Sequence, residues 1–217
     1  AIKSRVPFVN FFDGFRTSHE IQKIELLDYD ELKKLVDYDE LKKFRENALN
    51  PDHPVIRGTN QNPDIYFQTR EAVNKYYEAL PEIVEGYMNE ISKLPGRDYK
   101  LFNYTGAPDA ENVVVIMGSG AQTVEEVVKI LNAQGEKVGV LNVHLYRPFS
   151  AKHFFQAMPA TVKRIAVLDR TKEAGSNGEP LYLDVRDIYY NKAERPLIIG
   201  GRYGMGSKEF YPGDALA

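Results

Sequence analysis

The stretch that most constrains the fold is residues 112–120, which read Asn-Val-Val-Val-Ile-Met-Gly-Ser-Gly. Its apolar run, residues 113–117, is long enough for a strand that is buried on both faces and too short for a buried helix. Gly118 and Gly120 then permit a sharp turn. The stretch therefore predicts a central strand of a parallel sheet, followed at once by a turn.

The next residues, 121–133, predict a helix that packs on this sheet. Ser119 and Gln122 have the spacing of a capping box at its start, and Gly135 stands where a residue with positive φ often ends a helix. The apolar side chains of this segment recur at steps of three and four residues and define one buried face: Val124, Val127, Val128 and Leu131.

The rest of the second half alternates between the two patterns. Strands are predicted at 100–105, 137–145, 164–169 and 196–200, and helices at 150–158 and 181–190. Such alternation is typical of a parallel sheet covered by helices. Residues 98–217 are therefore predicted to form an α/β sandwich, with residues 100–105 as a short edge strand.

The first half is less regular. Residues 5–12 have the composition of a strand and end at the turn Asp13-Gly14. The sequence Asp-Tyr-Asp-Glu-Leu-Lys-Lys occurs twice, at 28–34 and 37–43, and predicts two short helices with acidic starts and basic ends. Residues 50–64 contain three prolines and predict an extended connector. Residues 69–94 are helical in pattern, with Pro81 predicted to kink the helix or to start a second one.

Composition excludes several classes of function. The 217 residues have a net charge of −3, which predicts neither a nucleic-acid partner nor a membrane partner. Cysteine is absent, so the chain itself supplies no disulfide, thiol nucleophile or thiolate ligand for an iron–sulfur cluster. No apolar run approaches the roughly 20 residues of a membrane span, and a cytoplasmic location is expected. Because the chain begins at Ala1 without a methionine, we also expect a piece of something larger.

No catalytic, cofactor-binding or metal-binding residue is predicted within the chain. The turn Gly118-Ser119-Gly120 resembles a dinucleotide fingerprint, but Thr123 stands where a third glycine or alanine is needed. An acidic residue is also missing from the end of the second predicted strand, at 142–144. The histidines never fall at metal-ligand spacing: they are His19, His53, His144 and His153.

Charged and polar residues nevertheless cluster in two places. One is the carboxyl ends of the predicted strands, where open parallel sheets bind ligands; we call its residues the strand-end rim, namely Arg147, Asp169, Arg170 and Lys172. The other is the centre of the connector, with Arg57, Thr59 and Gln61. The rim predicts either a ligand site or a surface that docks another domain. The connector residues either join such a site or satisfy their own backbone.

Several stretches together resemble the pyruvate:ferredoxin (flavodoxin) oxidoreductase family. They include Phe-Phe-Asp-Gly-Phe-Arg-Thr-Ser-His-Glu at 11–20 and Ala-Val-Leu-Asp-Arg-Thr-Lys-Glu at 166–173. The others are 50–59, 61–65, 145–150 and 200–204. The resemblance runs through the whole chain and keeps its order.

This resemblance implies a particular architecture. Residues 1–20 would be the end of a pyrimidine-binding domain, residues 21–97 a helical and extended connector, and residues 98–217 a domain similar to the transketolase C-terminal domain. Such a domain is a three-layer α/β/α sandwich. Its five-stranded sheet is mostly parallel, with the first strand antiparallel.

The resemblance also implies a function for the full-length enzyme. That family decarboxylates pyruvate on thiamine diphosphate and Mg²⁺ and passes electrons through [4Fe-4S] clusters. Its products are acetyl-CoA and reduced ferredoxin or flavodoxin, and a homodimer is expected. The present chain lacks the family's Gly-Asp-Gly motif for diphosphate and Mg²⁺, so we expect it to be inactive alone.

Two interpretations of the chain follow. The first is a non-catalytic structural module of the oxidoreductase whose partners are the remaining domains of its own polypeptide. The alternative is an independent small-ligand or regulatory domain that uses the strand-end rim. A docking module predicts an exposed apolar patch, whereas a ligand site predicts a pocket flanked by Arg147 and Arg170.

Overall fold

The structure is a computed structural model that describes residues 1–21, 23–56, 58, 60–94 and 97–216. It divides into two compact units. Unit 1 comprises Ala1–Asn10 and Ile24–Tyr99, and unit 2 comprises Phe11–Lys23 and Lys100–Ala217. The domain boundaries implied by the resemblance, 1–20, 21–97 and 98–217, stay predictions.

The secondary structure within the described residues is as follows. The helices are α1 (Arg16–His19), α2 (Tyr29–Lys34), α3 (Tyr38–Glu46), α4 (Tyr66–Glu71), α5 (Asn74–Lys93), α6 (Gly120–Ala133), α7 (Ala151–Ala157), α8 (Pro180–Tyr189) and α9 (Pro212–Leu216). The strands are β1 (Phe102–Gly106), β2 (Asn112–Ile116), β3 (Val138–Val143), β4 (Arg164–Asp169) and β5 (Leu197–Arg202).

Unit 2 contains a five-stranded sheet with the order β1-β3-β2-β4-β5. The strand β1 is antiparallel to β3, and the other pairs are parallel. The predicted central strand is β2, which pairs with β3 on one side and β4 on the other. This confirms the predicted fold class, including the antiparallel edge strand.

Side chains from both faces of the sheet are buried under helices. On one face, Ile116 and Val140 pack with Val124 and Val128 of α6. Because successive strand residues point to opposite faces, Val115 and Val167 belong to the other face, where both are fully buried. An aromatic cluster around Phe154 of α7 joins Phe102 of β1 and Tyr189 of α8. Helices thus cover both faces, which gives three layers.

Unit 1 is helical, and the tandem repeat forms two short helices as predicted. Asp28 accepts a hydrogen bond from the backbone N–H of Asp30 at the start of α2. Asp37 accepts one from the N–H of Glu40 at the start of α3. The acidic first residues of each repeat therefore cap its helix. Pro81 lies inside α5, and the break in the predicted helical segment falls instead at residues 72–73.

Two local predictions are wrong. Residues 5–12 form no strand in the structure, because a strand is stable only when a neighbouring strand takes its backbone hydrogen bonds. The capping box is also not formed, since the Ser119 side chain makes no capping hydrogen bond at α6. Gly135, by contrast, has the expected positive φ of 94° just after α6.

None of the described helices is both long and apolar enough to span a bilayer.

Candidate functional site

The strand-end rim is held together by hydrogen bonds to helix ends and loops. Asp169 ends β4 with only 2% of its surface exposed. Its two carboxylate oxygens accept from the backbone N–H groups of Leu181 and Tyr182, at 3.0 and 3.1 Å, in the first turn of α8. Burial raises the pKa of Asp169, and the two hydrogen bonds oppose that rise. Both carboxylate oxygens of Asp169 therefore satisfy N–H groups at the N-terminus of α8.

Asp13 binds both Arg170 of the rim and the turn before α6. Its Oδ2 accepts a hydrogen bond of 2.6 Å from the backbone N–H of Ser119, in the turn between β2 and α6. Its Oδ1 lies 3.3 Å from Nη1 of Arg170. Arg170 in turn donates from Nε to the carbonyl oxygen of Gly204, at 3.0 Å. One carboxylate thus connects segment 11–23 to the residues that follow β2 and β4.

Tyr203 closes the same cluster after β5. It is 8% exposed and donates a hydrogen bond of 3.1 Å from its hydroxyl to the carbonyl oxygen of Met117. A Cβ atom at Gly120 would lie 2.7 Å from the Tyr203 ring, so glycine at this position lets the ring pack directly on the start of α6. Burial raises the pKa of Tyr203 to about 12, and the phenol is neutral at pH 7.

Arg147 lies after β3 and contacts α8. Its Nη1 donates to Oδ2 of Asp184 at 2.7 Å, and its guanidinium lies 4.0 Å from the ring centroid of Tyr146. Burial raises the pKa of Tyr146 to about 12, with a further contribution from the Asp184 charge. The charge of Arg147 is therefore neutralised within the chain.

Lys172 is exposed and lies in the loop between β4 and α8. Near it, Glu179 accepts a hydrogen bond of 2.6 Å from the backbone N–H of Glu173 and a charged one from Nε of Arg202. Those two hydrogen bonds hold the pKa of Glu179 below its usual range, and the Lys172 charge contributes in the same direction. This carboxylate thus joins the loop at Glu173 to the end of β5 at Arg202.

The connector residues do not add to this picture. Gln61 is exposed and belongs to unit 1. Arg57 and Thr59, which were predicted with it, lie outside the described residues.

Three residues of the cluster were missed from the sequence: Asp13, Glu179 and Tyr203. Asp13-Gly14 was interpreted only as a turn, and its partner Ser119 is 106 residues away. A usable signal was present, because Asp13 and Tyr203 both fall within stretches that carry the family resemblance.

The turn before α6 does not fit a diphosphate group. A helix N-terminus attracts anions through its free N–H groups, but here the Ser119 N–H already donates to the Asp13 carboxylate. A diphosphate would have to displace a negative charge that Arg170 also holds. We therefore assign no residue of this turn to thiamine diphosphate.

Asp13→Asn is expected to lower the free energy of unfolding at pH 7 by about 1–2 kcal/mol, because charge-assisted hydrogen bonds are lost. Burial opposes ionisation, but Ser119 and Arg170 hold the pKa of Asp13 below its ordinary value. The stabilisation is thus present above about pH 4 and is lost as pH falls through the folded-state pKa. Urea unfolding at pH 7 and pH 3 measures this, and the difference between the two proteins should be smaller at the lower pH. Asp187→Asn, at an exposed position of α8, is the control; an equal loss there would contradict the assignment.

Comparison with known proteins decides the family. Residues 1–89 match the family described as "Pyruvate flavodoxin/ferredoxin oxidoreductase, thiamine diP-bdg". Residues 110–215 match "Pyruvate:ferredoxin oxidoreductase core domain II". The chain belongs to the pyruvate:ferredoxin/flavodoxin oxidoreductase family.

Relatives in the pyruvate:ferredoxin/flavodoxin oxidoreductase family are much longer than this chain. The pyruvate-flavodoxin oxidoreductase of Klebsiella pneumoniae is 65% identical over all 217 residues, which are 18% of its length. The pyruvate:ferredoxin oxidoreductase of Moorella thermoacetica is 60% identical over 211 residues, or 97% of this chain and 18% of the relative. The chain thus spans less than a fifth of these relatives.

A solved structure was also found. The 2-oxoglutarate:ferredoxin oxidoreductase from Magnetococcus marinus matches 72% of this chain and 23% of its own, with 18% identity and a TM-score of 0.44.

Proposed function

We propose that this chain is a non-catalytic structural module of a pyruvate:ferredoxin/flavodoxin oxidoreductase, and that it positions the neighbouring domains of a longer polypeptide. The observation that carries the proposal is an anchored apolar segment in unit 2. Phe11 and Phe12 are 66% and 74% exposed. They immediately precede Asp13, which is bound to Ser119 and Arg170.

Anchoring matters because an apolar segment that is held in place is better suited to docking than a flexible one. A flexible apolar segment would lose conformational entropy on docking, whereas a segment already fixed in place loses less. Exposed contiguous apolar side chains on a fixed frame are typical of protein–protein contact sites. The partner that we propose is the remainder of the same polypeptide.

The strand-end charges support the same role. Asp169, Arg170 and Arg147 are each hydrogen-bonded within unit 2. Their charges stabilise the ends of strands and helices, so the rim is rigid. Lys172 is exposed at its border, and we assign it to domain docking. We extend that assignment to Arg57, Thr59 and Gln61 of the connector.

For the full-length enzyme we propose the family's reaction. Pyruvate would be decarboxylated with thiamine diphosphate and Mg²⁺, and [4Fe-4S] clusters would carry electrons to ferredoxin or flavodoxin, giving acetyl-CoA. A cytoplasmic homodimer is part of this proposal. Within it, residues 1–20 would end the pyrimidine-binding domain, residues 21–97 would connect, and residues 98–217 would form the transketolase C-terminal-like domain.

Calorimetric titration of the 217-residue chain with thiamine diphosphate plus Mg²⁺ tests the module role. We expect no saturable heat, because the Asp13 carboxylate occupies the N-terminus of α6. The full-length enzyme, titrated in the same buffer, is the positive control.

Saturable binding to the chain alone would contradict the module role and favour the second candidate, a small-ligand domain at the strand-end rim. In that case Arg147→Gln and Arg170→Gln should each weaken the binding.

A further inference from the structure

Unit 2 has a cavity at the opposite end of the sheet from the strand-end rim. Its volume is about 600 Å³, and it lies where β4 and β5 begin, beside the ends of α7 and α8. Residues from three loops and helix ends line it, among them Phe155, Met158, Tyr189, Lys192 and Arg195. A volume of this size is in the range of small-molecule sites in proteins.

The floor of the cavity is apolar and rigid. The rings of Phe155 and Tyr189 meet edge to face, with centroids 5.1 Å apart and planes at 87°. Tyr189 is 6% exposed and Met158 is 7% exposed. Edge-to-face aromatic packing fixes both rings. Tyr189 and Met158 thus support the floor from beneath, and the half-buried Phe155 and Pro196 present apolar surface to the cavity.

The wall of the cavity is cationic. Lys192 places its Nζ 4.4 Å from the ring centroid of Phe155. Arg195 donates from Nη1 to the carbonyl oxygen of Tyr190, at 3.4 Å. Among the ion pairs of the described residues, neither Lys192 nor Arg195 takes part in one. Lys163 is paired with Glu111, at 2.6 Å.

A second cavity in unit 2 is lined by lysines whose charges are neutralised by ion pairs. That cavity, of about 530 Å³, is lined by Lys129 and Lys137. There Lys129 is paired with Glu126, at 2.5 Å, and Lys137 with Asp109. Lys192 and Arg195 of the first cavity differ from Lys129 and Lys137 in this respect, in a chain whose net charge is −3.

We propose that the cavity beside Phe155 and Tyr189 binds a small carboxylate with an aromatic or branched apolar body. The body would lie against Phe155, whose ring Tyr189 supports, and the carboxylate would pair with Lys192 and Arg195. A guanidinium matches the planar carboxylate geometrically. Outside ion pairs, the lining carries two positive charges, on Lys192 and Arg195, and one negative charge, on Glu194. The resulting net charge of one favours a monoanion over a phosphate dianion. The proposal is independent of the module role.

The test is a titration of the 217-residue chain with 2-naphthoate, followed by ¹H–¹⁵N NMR. We expect saturable shifts confined to residues 155–163 and 189–196. The double variant Lys192→Gln/Arg195→Gln should bind at least tenfold more weakly, since it loses two charge-assisted contacts. Lys208→Gln, at an exposed position outside the cavity, is the matched control and should bind like the unaltered chain.

A neutral probe keeps the result independent of any variant's folding. Naphthalene-2-methanol has the same rings without the charge, and on the unaltered chain it should bind at least tenfold more weakly than 2-naphthoate. Equal binding of the two probes, shifts spread over other surfaces, unchanged affinity of the double variant, or no saturable binding would each overturn the proposal.

Discussion

Replacing Phe11 and Phe12 by serine in the full-length oxidoreductase is expected to reduce activity at least tenfold, while the 217-residue chain keeps its stability. Both side chains are more than 60% exposed here, so the chain by itself gains little from them. Burying a phenylalanine contributes about 1.5–3 kcal/mol, and two of them would contribute about 3–6 kcal/mol to docking. Pyruvate-dependent reduction of ferredoxin or flavodoxin, the reaction proposed above for the full-length enzyme, is measured beside thermal unfolding of the chain, and the two measurements test both halves of the prediction.

Ile130→Ser is the matched control for this experiment. Ile130 is 56% exposed on α6 of the same unit, and its loss should leave the activity of the full-length enzyme nearly unchanged. Full activity of the Phe11→Ser/Phe12→Ser variant would remove the main support for the docking surface. An equal loss with Ile130→Ser would show that the effect is not specific to the anchored segment.

Phe154→Ala is expected to lower the free energy of unfolding of unit 2 by about 3–5 kcal/mol. The Phe154 side chain is fully buried. Its ring centroid lies 5.6 Å from that of Phe102, 5.8 Å from that of Phe149 and 6.1 Å from that of Tyr189. The substitution removes these contacts and leaves a cavity that the surrounding rings fill only in part. Urea unfolding followed by far-ultraviolet circular dichroism measures the change.

The same substitution at an exposed phenylalanine provides the comparison. Phe12→Ala, at a side chain that is 74% exposed, should change the unfolding free energy by less than about 0.5 kcal/mol. If Phe154→Ala were as mild as Phe12→Ala, the aromatic cluster would not be part of the core. If both were severe, Phe12 would be packed in the chain itself.

The strands of the sheet could be predicted because a local sequence pattern marks each of them. The strand β4 has the predicted bounds, Arg164–Asp169, because a short apolar run between polar residues leaves little choice of where the strand begins and ends. The failure at residues 5–12 has the opposite cause. Their composition favours a strand, but backbone pairing depends on a neighbouring strand that no local pattern reports.

The cluster at the strand ends could be predicted only in part. Asp169 and Arg170 were located because strand ends follow from the strands themselves. Asp13 was not, because its role depends on a contact with Ser119 across 106 residues. What the charges do was equally hidden: Asp169 faces the N–H groups of α8, and sequence spacing does not distinguish a helix cap from a ligand contact.

Strand order also determines when the sheet can assemble during synthesis. The strand β1 is made first, yet its partner β3 follows only after β2 and α6. The central strand β2 is flanked by β3 and β4, which are both made after it. Because such pairing closes long loops before any contact forms, it is slow compared with helix formation. During synthesis, the apolar strand β2 therefore stays exposed until β4 has left the ribosome. The time between the emergence of β2 and that of β4 is when a chaperone would be needed.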